Sequence, residues 1–350
     1  MLYPLFFTPI YKERVWGGTK LQELYQRQIP YEHTGESWDI ACHPNGVSVI
    51  SNGSLRGRTL EELVKKDPKA LLGEAFKEMK KFPLLIKLLD AQDKLSVQVH
   101  PQDEYAKTHE KGELGKCEMW YVMDAPLGAT LVAGVKEGTT KQEFERAIQE
   151  GTVESFLTRI PVNVGDVINI PSGLVHAIEE NIVVAEIQQN SDTVYRVYDW
   201  NRRGLDGKPR ELHIEKAFDV IDFTKSSSPK VQGLSVNKGD AIDTYYIANS
   251  YFAVEKIQLR GTIVENTKNL KFYLYTCLEG QGIIKHNEIQ STFHKGQSFM
   301  IPGSIGLYEI SGEVTLLKSY IPHIQKDFIQ PLIEAGYTLQ DIQKKVAIEE

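Results

Sequence analysis

Short apolar runs broken by polar turns make up most of the chain. FPLLIKLL (82–89), LSVQVH (95–100), EMWYVM (118–123), ATLVAGV (129–135), DVINIP (166–171) and IVVAEIQQ (182–189) are rich in β-branched and aromatic residues and bounded by Gly, Pro, Asn and Asp, the pattern of strands. Helix-period apolar residues occur in TLEELVKKDPKALLGEAFKEMKKF (59–82) and TKQEFERAIQEGTVESFL (140–157), which predicts helices there with Thr59 and Thr140 as N-caps. The tail, 323–350, also reads as helical. FTKSSSPKVQG (223–233) is polar and serine-rich, the pattern of a linker.

A repeat spans that linker. GDVINIPSGLVH (165–176) and GQSFMIPGSIGL (296–307) share a Gly-polar turn, an apolar strand, an Ile-Pro pair and a Gly-containing turn. Two copies imply two related β-domains, expected at 1–222 and 234–322, with the linker at 223–233, the helical segments inside the first domain and the helical tail after the second. Where the first copy has His176 the second has Leu307. The first domain is therefore the one expected to carry chemistry.

Polar residues on its strands say what kind. Residues two apart on a strand share a face, so Gln98 and His100 project together while Val97 and Val99 point the other way. Lys116, Glu118 and Trp120 likewise share one face and leave Cys117 on the opposite one. Pro171 and Gly173 turn the chain sharply before His176 and aim its imidazole inward. Two imidazoles, a carboxylate and an amide oxygen inside a small barrel suit a divalent transition metal, with positions left for water or substrate.

Each of these residues alone has a plain structural reading as a hydrogen-bonded strand residue. Arg196 and Asp199 could form an ion pair closing a loop, and Lys116 could be a solvated lysine at a strand end. Lys87, inside an apolar run, either pairs with a neighbour such as Asp90 or faces a pocket. Trp16, Trp38 and Trp120 read as core or pocket wall.

Charge and composition narrow the partners. The formal net charge is −7 over 350 residues, with no basic block, so neither nucleic acid nor an anionic membrane is indicated as a partner. An anionic substrate would need a local cationic cluster. The opening MLYPLFFTPIYKERVWGG lacks a basic start and a long apolar stretch and reads as a strand rather than a signal peptide. No apolar run reaches membrane-spanning length. Cys42, Cys117 and Cys277 are odd in number and far apart, which fits a reducing cytoplasm.

The run G-x5-P-x-G-x2-H-x4-N from Gly165 to Asn181 resembles the second cupin motif, and Gln98-x-His100 with Glu118 downstream resembles the first. Gln98 stands where cupins commonly have His. FPLLIKLLDAQDKLSVQVHPQDEYA, GKCEMWYV, PSGLVHAI and VYRVYDW, with VWGG and GESWDIACHPNG near the start, together resemble the type I mannose-6-phosphate isomerase family, the short bacterial form in particular. The resemblance covers roughly residues 3 to 320. It implies a mainly β fold of two cupin-type jelly-roll barrels with a small helical insertion. It also implies one zinc ion per chain on Gln98, His100, Glu118 and His176, with Arg196 and Lys116 as active-site residues.

The implied reaction interconverts mannose 6-phosphate and fructose 6-phosphate through an enediolate-like state. Arg196 suits the enediolate oxygens or the phosphate, since its guanidinium stays protonated. Lys116 could donate to the same oxygens or take part in proton transfer, and the proton-shuttling base is unassigned. Lys87, Arg202 and Arg203 are expected at the phosphate. Another cupin metalloenzyme, or a sugar-binding cupin without turnover, would keep the barrel but would not call for all four ligands together with Lys116 and Arg196.

Overall fold

A computed structural model describes residues 2–224 and 229–349. Residues 225–228 of the expected linker lie outside the described residues. Contacts group the chain into two compact units, Tyr11–Ser37 with Lys87–Lys230, and Met1–Ile10 with Trp38–Ile86 and Val231–Glu350. The helical stretch after Thr59 therefore groups with the strands that follow the linker, whereas the sequence grouped it with the first domain. Backbone bonds from Gly303 and Ser304 to the Leu71 and Ala70 carbonyls, and from Glu74 and Ala75 to the Asn269 and Leu270 carbonyls, tie that stretch to residues far along the chain.

The first of these units holds a five-stranded sheet in the order Leu157–Pro161, Thr130–Val135, His176–Ile178, Val97–Val99, Tyr195–Tyr198. It also holds most of a seven-stranded sheet, in which Val167–Ile170, Glu118–Asp124, Ile182–Gln189 and Leu84–Ala91 lie side by side. Between them Trp16, Leu89, Trp120, Leu131, Ile168, Ile170, Ile178 and Val184 form a buried core. A second cluster covers the other face of the five-stranded sheet: Val97, Val99, Val132, Ala177 and Val197 pack with Phe144 and Ala147 and with Ala217 and Phe218. These last four belong to the helices Lys141–Glu150 and Ile214–Val220. Because strands alternate faces, burying Val97, Val99, Ala177 and Val197 under helices commits Gln98, His176 and Arg196 to the inner side.

Both N-caps expected from sequence form complete capping boxes, Thr59 with Glu62 and Thr140 with Glu143. Both helices are shorter than the periodicity predicts. The first stops at Lys66, and Asp67 caps a second helix, Pro68–Leu72, with proline in its first turn. A single turn of 3₁₀ helix, Glu74–Phe76, ends the helical structure there. Proline cannot continue a helix but is well placed to begin one. The second helix ends at Gly151, whose φ is +71°, and after a 3₁₀ turn at Val153–Phe156 the chain enters a strand at Leu157.

In the other unit the long strands Ala253–Asn266, Tyr273–His286 and Leu307–Tyr320 lie together, with Leu307–Tyr320 in the middle. Ile257, Tyr275, Phe293, Phe299, Ile310 and Leu316 fill its core. The repeat is visible in the backbone: Gly165 and Gly296 both have positive φ, each precedes a four-residue strand, and His176 and Leu307 each open the next strand. The helical tail is confirmed in part. Gln330–Glu334 and Leu339–Lys345 are α-helical after a π-helical turn, and Phe328, Leu332 and Ile342 pack on Tyr245, Ala248 and Tyr320. Its end is a short strand, Ala347–Ile348, pairing parallel with Ala241–Ala248.

The polar interior of this unit is ionic. Lys318 Nζ lies 3.2 Å from Glu265 Oε2, faces Glu255 across the paired strands, and sits 4.5 Å from the centre of the Tyr273 ring. Glu255 also accepts from the Tyr320 hydroxyl. Burial alone would lower the Lys318 pKa, but Glu265 and Glu255 outweigh it and hold the ammonium protonated. Removing one member of a buried ion cluster leaves the others uncompensated. Lys318→Met is expected to destabilise the protein by about 3–5 kcal/mol, read as a lowered urea midpoint; an unchanged midpoint would show that the cluster contributes no net stability.

Candidate active site

Strand register brings the polar residues together. Gln98 is paired with His176 on one side and with Arg196 on the other, so three cross-strand neighbours present their side chains to the same face. On the seven-stranded sheet Glu118 lies opposite Gln188, and Trp120 opposite Glu186. His100 and Lys116 stand just beyond the ends of their strands. The turn before His176 is clipped to both of them: Gly173 N–H donates to the His100 carbonyl at 2.9 Å, and the Ser172 hydroxyl donates to the Lys116 carbonyl at 3.1 Å. Gly173 has φ +86°, and a Cβ there would come within 3.0 Å of the Val220 carbonyl, so both conformation and space call for glycine.

His100, Glu118 and His176 are fully buried and offer ligand atoms all within 4.8 Å of one another. His176 Nδ1 donates to the Leu174 carbonyl at 2.8 Å, which leaves Nε2 as a lone-pair acceptor. That acceptor lies 3.1 Å from His100 Nε2 and 3.3 Å from Glu118 Oε1, while His100 Nε2 lies 3.5 Å from Glu118 Oε2. Gln98 adds its amide, with Nε2 3.3 Å from His176 Nε2, and a half-turn about its last bond would present the oxygen instead. No aligned hydrogen bond reaches either Glu118 oxygen or His100 Nδ1.

Burial and then Lys116 push the His100 pKa down to about 3, and burial lowers His176 too. Burial would raise Glu118, but Lys116 and the histidines outweigh it and keep the carboxyl ionised. Two neutral imidazoles and a carboxylate, turned toward one point in a dry interior, are the donor set of a metal ion. The residues fit such a group.

Next to this cluster opens a cavity of about 550 Å³. Gln98, Lys87, Lys116, Glu186, Arg14, Arg196 and Arg210 line it, with Trp16, Leu89 and Leu95 as apolar wall. Lys116 is buried, with Nζ 3.0 Å from Glu118 Oε2, so it is not a solvated strand-end lysine. Lys87 faces the cavity and pairs with Glu186 at 3.1 Å, which also accepts from Trp120 Nε1 at 2.9 Å; Asp90 instead accepts from the Lys20 backbone. Arg196 does not pair with Asp199. Its Nη1 donates to the Glu211 carbonyl at 2.6 Å and its Nε is buried without a partner.

Asp199 holds Arg210 through two bonds of 2.7 and 2.5 Å and Arg202 at 3.1 Å. Arg202 also reaches Asp93 at 3.1 Å and is not among the lining residues. Arg203 is exposed and donates to the Gly207 carbonyl at 2.8 Å, also away from the cavity wall. Sequence reasoning passed over Arg14 and Arg210. Only the alternation of Lys12, Arg14 and Trp16 along a strand, and the proximity of Arg210 to Asp199 in the chain, could have signalled them.

Comparison with known proteins settles the family. Residues 5–124 match the family model described as phosphomannose isomerase type I, catalytic domain, and residues 241–321 that of the mannose-6-phosphate isomerase cupin domain. The mannose-6-phosphate isomerase ManA of Bacillus subtilis is 42% identical over 320 residues, covering 91% of this chain and 99% of the relative. The probable mannose-6-phosphate isomerase GmuF of the same species is 41% identical over 323 residues, covering 91% of this chain and 100% of the relative.

The chain belongs to the type I mannose-6-phosphate isomerase family. The crystal structure of the mannose 6-phosphate isomerase from Bacillus subtilis superposes with a TM-score of 0.84 at 36% identity, covering 91% of this chain and 99% of that one. The mainly β cupin architecture expected from sequence is thus shared with a mannose-6-phosphate isomerase of known structure. Among the described residues no helix is long and apolar enough to cross a membrane.

The depressed imidazole pKa values set a stability prediction for the metal-free protein. Unfolded histidines bind protons near pH 6.5, whereas folded His100 does so only near 3. Between those values the unfolded chain holds more protons, and stability falls as pH falls. Glu118, ionised in the fold below its ordinary range, adds a loss in the same direction at the acid end. Urea midpoints of chelator-treated protein should drop steadily from pH 7 to pH 5; a flat or rising midpoint would contradict the neutral assignment.

Proposed function

We propose that the protein is a zinc-dependent mannose-6-phosphate isomerase that reversibly converts D-mannose 6-phosphate to D-fructose 6-phosphate, with one zinc per chain. The observation that carries this reading is the buried group His100, Glu118 and His176 beside a cavity whose wall mixes Arg14, Lys87, Lys116, Arg196 and Arg210 with carboxylates such as Glu186. Family membership with relatives named mannose-6-phosphate isomerase supports the substrate.

Gln98, His100, Glu118 and His176 would hold the metal. Nitrogen and oxygen donors of this kind suit zinc, and an aldose–ketose isomerisation exchanges no electrons with the metal. When bound, the ion supplies Lewis-acid stabilisation of negative charge on sugar oxygens. In the reaction a proton leaves C2 and is delivered to C1, while charge gathers on the oxygens of those two carbons.

Lys116 and Arg196 supply the donors for that charge from the chain itself. Arg196 stays cationic and acts by its fork of N–H groups, not as a base. Lys87 and Arg210, ion-paired with Glu186 and Asp199 respectively, offer N–H donors on the cavity wall where an anionic phosphate must be held. Arg202 works at one remove, since it shares Asp199 with Arg210. Arg203, outside the wall, has no role in this scheme.

A coupled assay for mannose 6-phosphate, repeated after chelation and zinc add-back, tests the reading; full activity in verified metal-free protein would refute it. His176→Ala should abolish metal retention measured by elemental analysis. His294→Ala, at an exposed histidine of the other unit, should leave metal content unchanged. Arg196→Lys should cut turnover by about a hundredfold with metal retained, because the planar fork is lost; turnover at the parental rate would remove Arg196 from the chemistry.

A further inference from the structure

The strand Tyr195–Tyr198 lies at the edge of the five-stranded sheet, with Val97–Val99 on its one strand-paired side. Backbone groups on an open edge need other partners. At Arg196 the partner is His213. Arg196 N–H donates to His213 Nδ1 at 3.1 Å, and His213 N–H donates back to the Arg196 carbonyl at 2.8 Å. The same segment fixes the side chain, since Nη1 of Arg196 donates to the Glu211 carbonyl at 2.6 Å. Both ends of Arg196 are thus tied to residues 211–213.

We infer that His213 is a positioning residue for Arg196: its uncharged ring holds the arginine against the cavity, and protonation of the ring releases it. The inference rests on the role given to Arg196 above. Nδ1 accepts a hydrogen bond only while it carries no proton, so the resting tautomer has its proton on Nε2, which lies 4.0 Å from Glu211 Oε2. A proton on Nδ1 would set two N–H donors against each other beside a guanidinium. The edge contact breaks, and like charges push the imidazolium and Arg196 apart.

The groups facing the ring divide by sign. Arg196 on the strand and Lys216 on the helix Ile214–Val220 disfavour the charged ring; Glu211 before it and Glu110, after the helix Asp103–His109, favour it. Glu110 is itself engaged by Lys216 at 2.7 Å and by the Tyr195 hydroxyl at 2.7 Å. The Tyr195 ring lies 6.3 Å from the His213 ring. Burial and then Arg196 prevail, and the imidazole is held below its ordinary pKa. Arg196 is accordingly locked at neutral pH and freed on the acid side.

The test is the pH profile of kcat and kcat/KM for mannose 6-phosphate with the zinc-loaded protein, alongside an NMR titration of the His213 ring and metal content at each pH. The acid limb of the wild type should share its midpoint with the NMR titration. His213→Ala should lower kcat about tenfold at pH 7.5 through misplacement of Arg196, with metal content unchanged. His213→Asn offers an amide oxygen near the Nδ1 position that cannot be protonated. It should recover most of that loss and move the acid limb to lower pH.

An acid limb identical in wild type and His213→Asn, or an undiminished kcat in His213→Ala, would overturn the inference. Should His213→Ala fail to fold, the His213→Asn profile decides. A wild type without isomerase activity at neutral pH would count against the functional reading instead. The contact is then judged by NMR alone: Arg196→Met should raise the His213 pKa, and an unmoved pKa would refute the coupling.

Discussion

His176 Nε2 and His100 Nε2 lie 3.1 Å apart, with an ionised carboxylate beside both and no water-exposed surface. With His176 Nδ1 on a backbone carbonyl, only His100 can place a proton between the two rings, and neither Glu118 oxygen receives an aligned hydrogen bond, so this buried group is short of donors. A cation at their meeting point would satisfy these acceptors together, and His176 has its Nδ1 fixed on a backbone carbonyl. A bond of that kind sets the tautomer and aims the ring. The rest of the unit can be understood as the means of holding those side chains together.

That holding is done by strands whose other faces are occupied. Val97, Val99, Ala177 and Val197 lock under Phe144 and Phe218, so a one-residue slip in register would expose valines and drive Gln98 and Arg196 into the helices. The apolar contacts thereby enforce polar convergence on the inner side. Lys116 and Lys87 moderate its charge, each paired with one buried carboxylate, Glu118 and Glu186 respectively.

The convergence of Gln98, His100, Glu118 and His176 was legible because period-two alternation and the Pro-x-Gly turn act over a few residues, and local patterns survive folding. Where the outcome depends on the path of a long loop, sequence was a poor guide. Arg202 and Arg203 stand next to each other, yet the former turns to Asp93 and Asp199 and the latter to Gly207, while Arg210, seven residues on from Arg203, reaches the cavity. The helix expected over 59–82 broke at Pro68 because apolar period registers burial and not continuity; Leu63 and Leu71 are both buried from separate helices. His213 gave no signal at all, since its partner is a backbone N–H on a strand edge.

The two related barrels answer the same electrostatic problem differently. A barrel interior that contains carboxylates requires compensating positive charge. In the C-terminal unit the chain supplies it, with Lys318 between Glu255 and Glu265 and over the face of Tyr273. That cluster is closed, and Leu307, at the place where the other copy has a histidine, is 61% exposed. In the N-terminal unit, Lys116 meets one edge of Glu118, but two imidazoles occupy the remaining space. Imidazoles held neutral bring no net charge to a carboxylate; they can donate an N–H to it or share a cation with it. The difference between the two interiors thus comes down to whether a buried carboxylate is met by a charged donor alone or also by neutral rings whose lone pairs can be turned toward a cation.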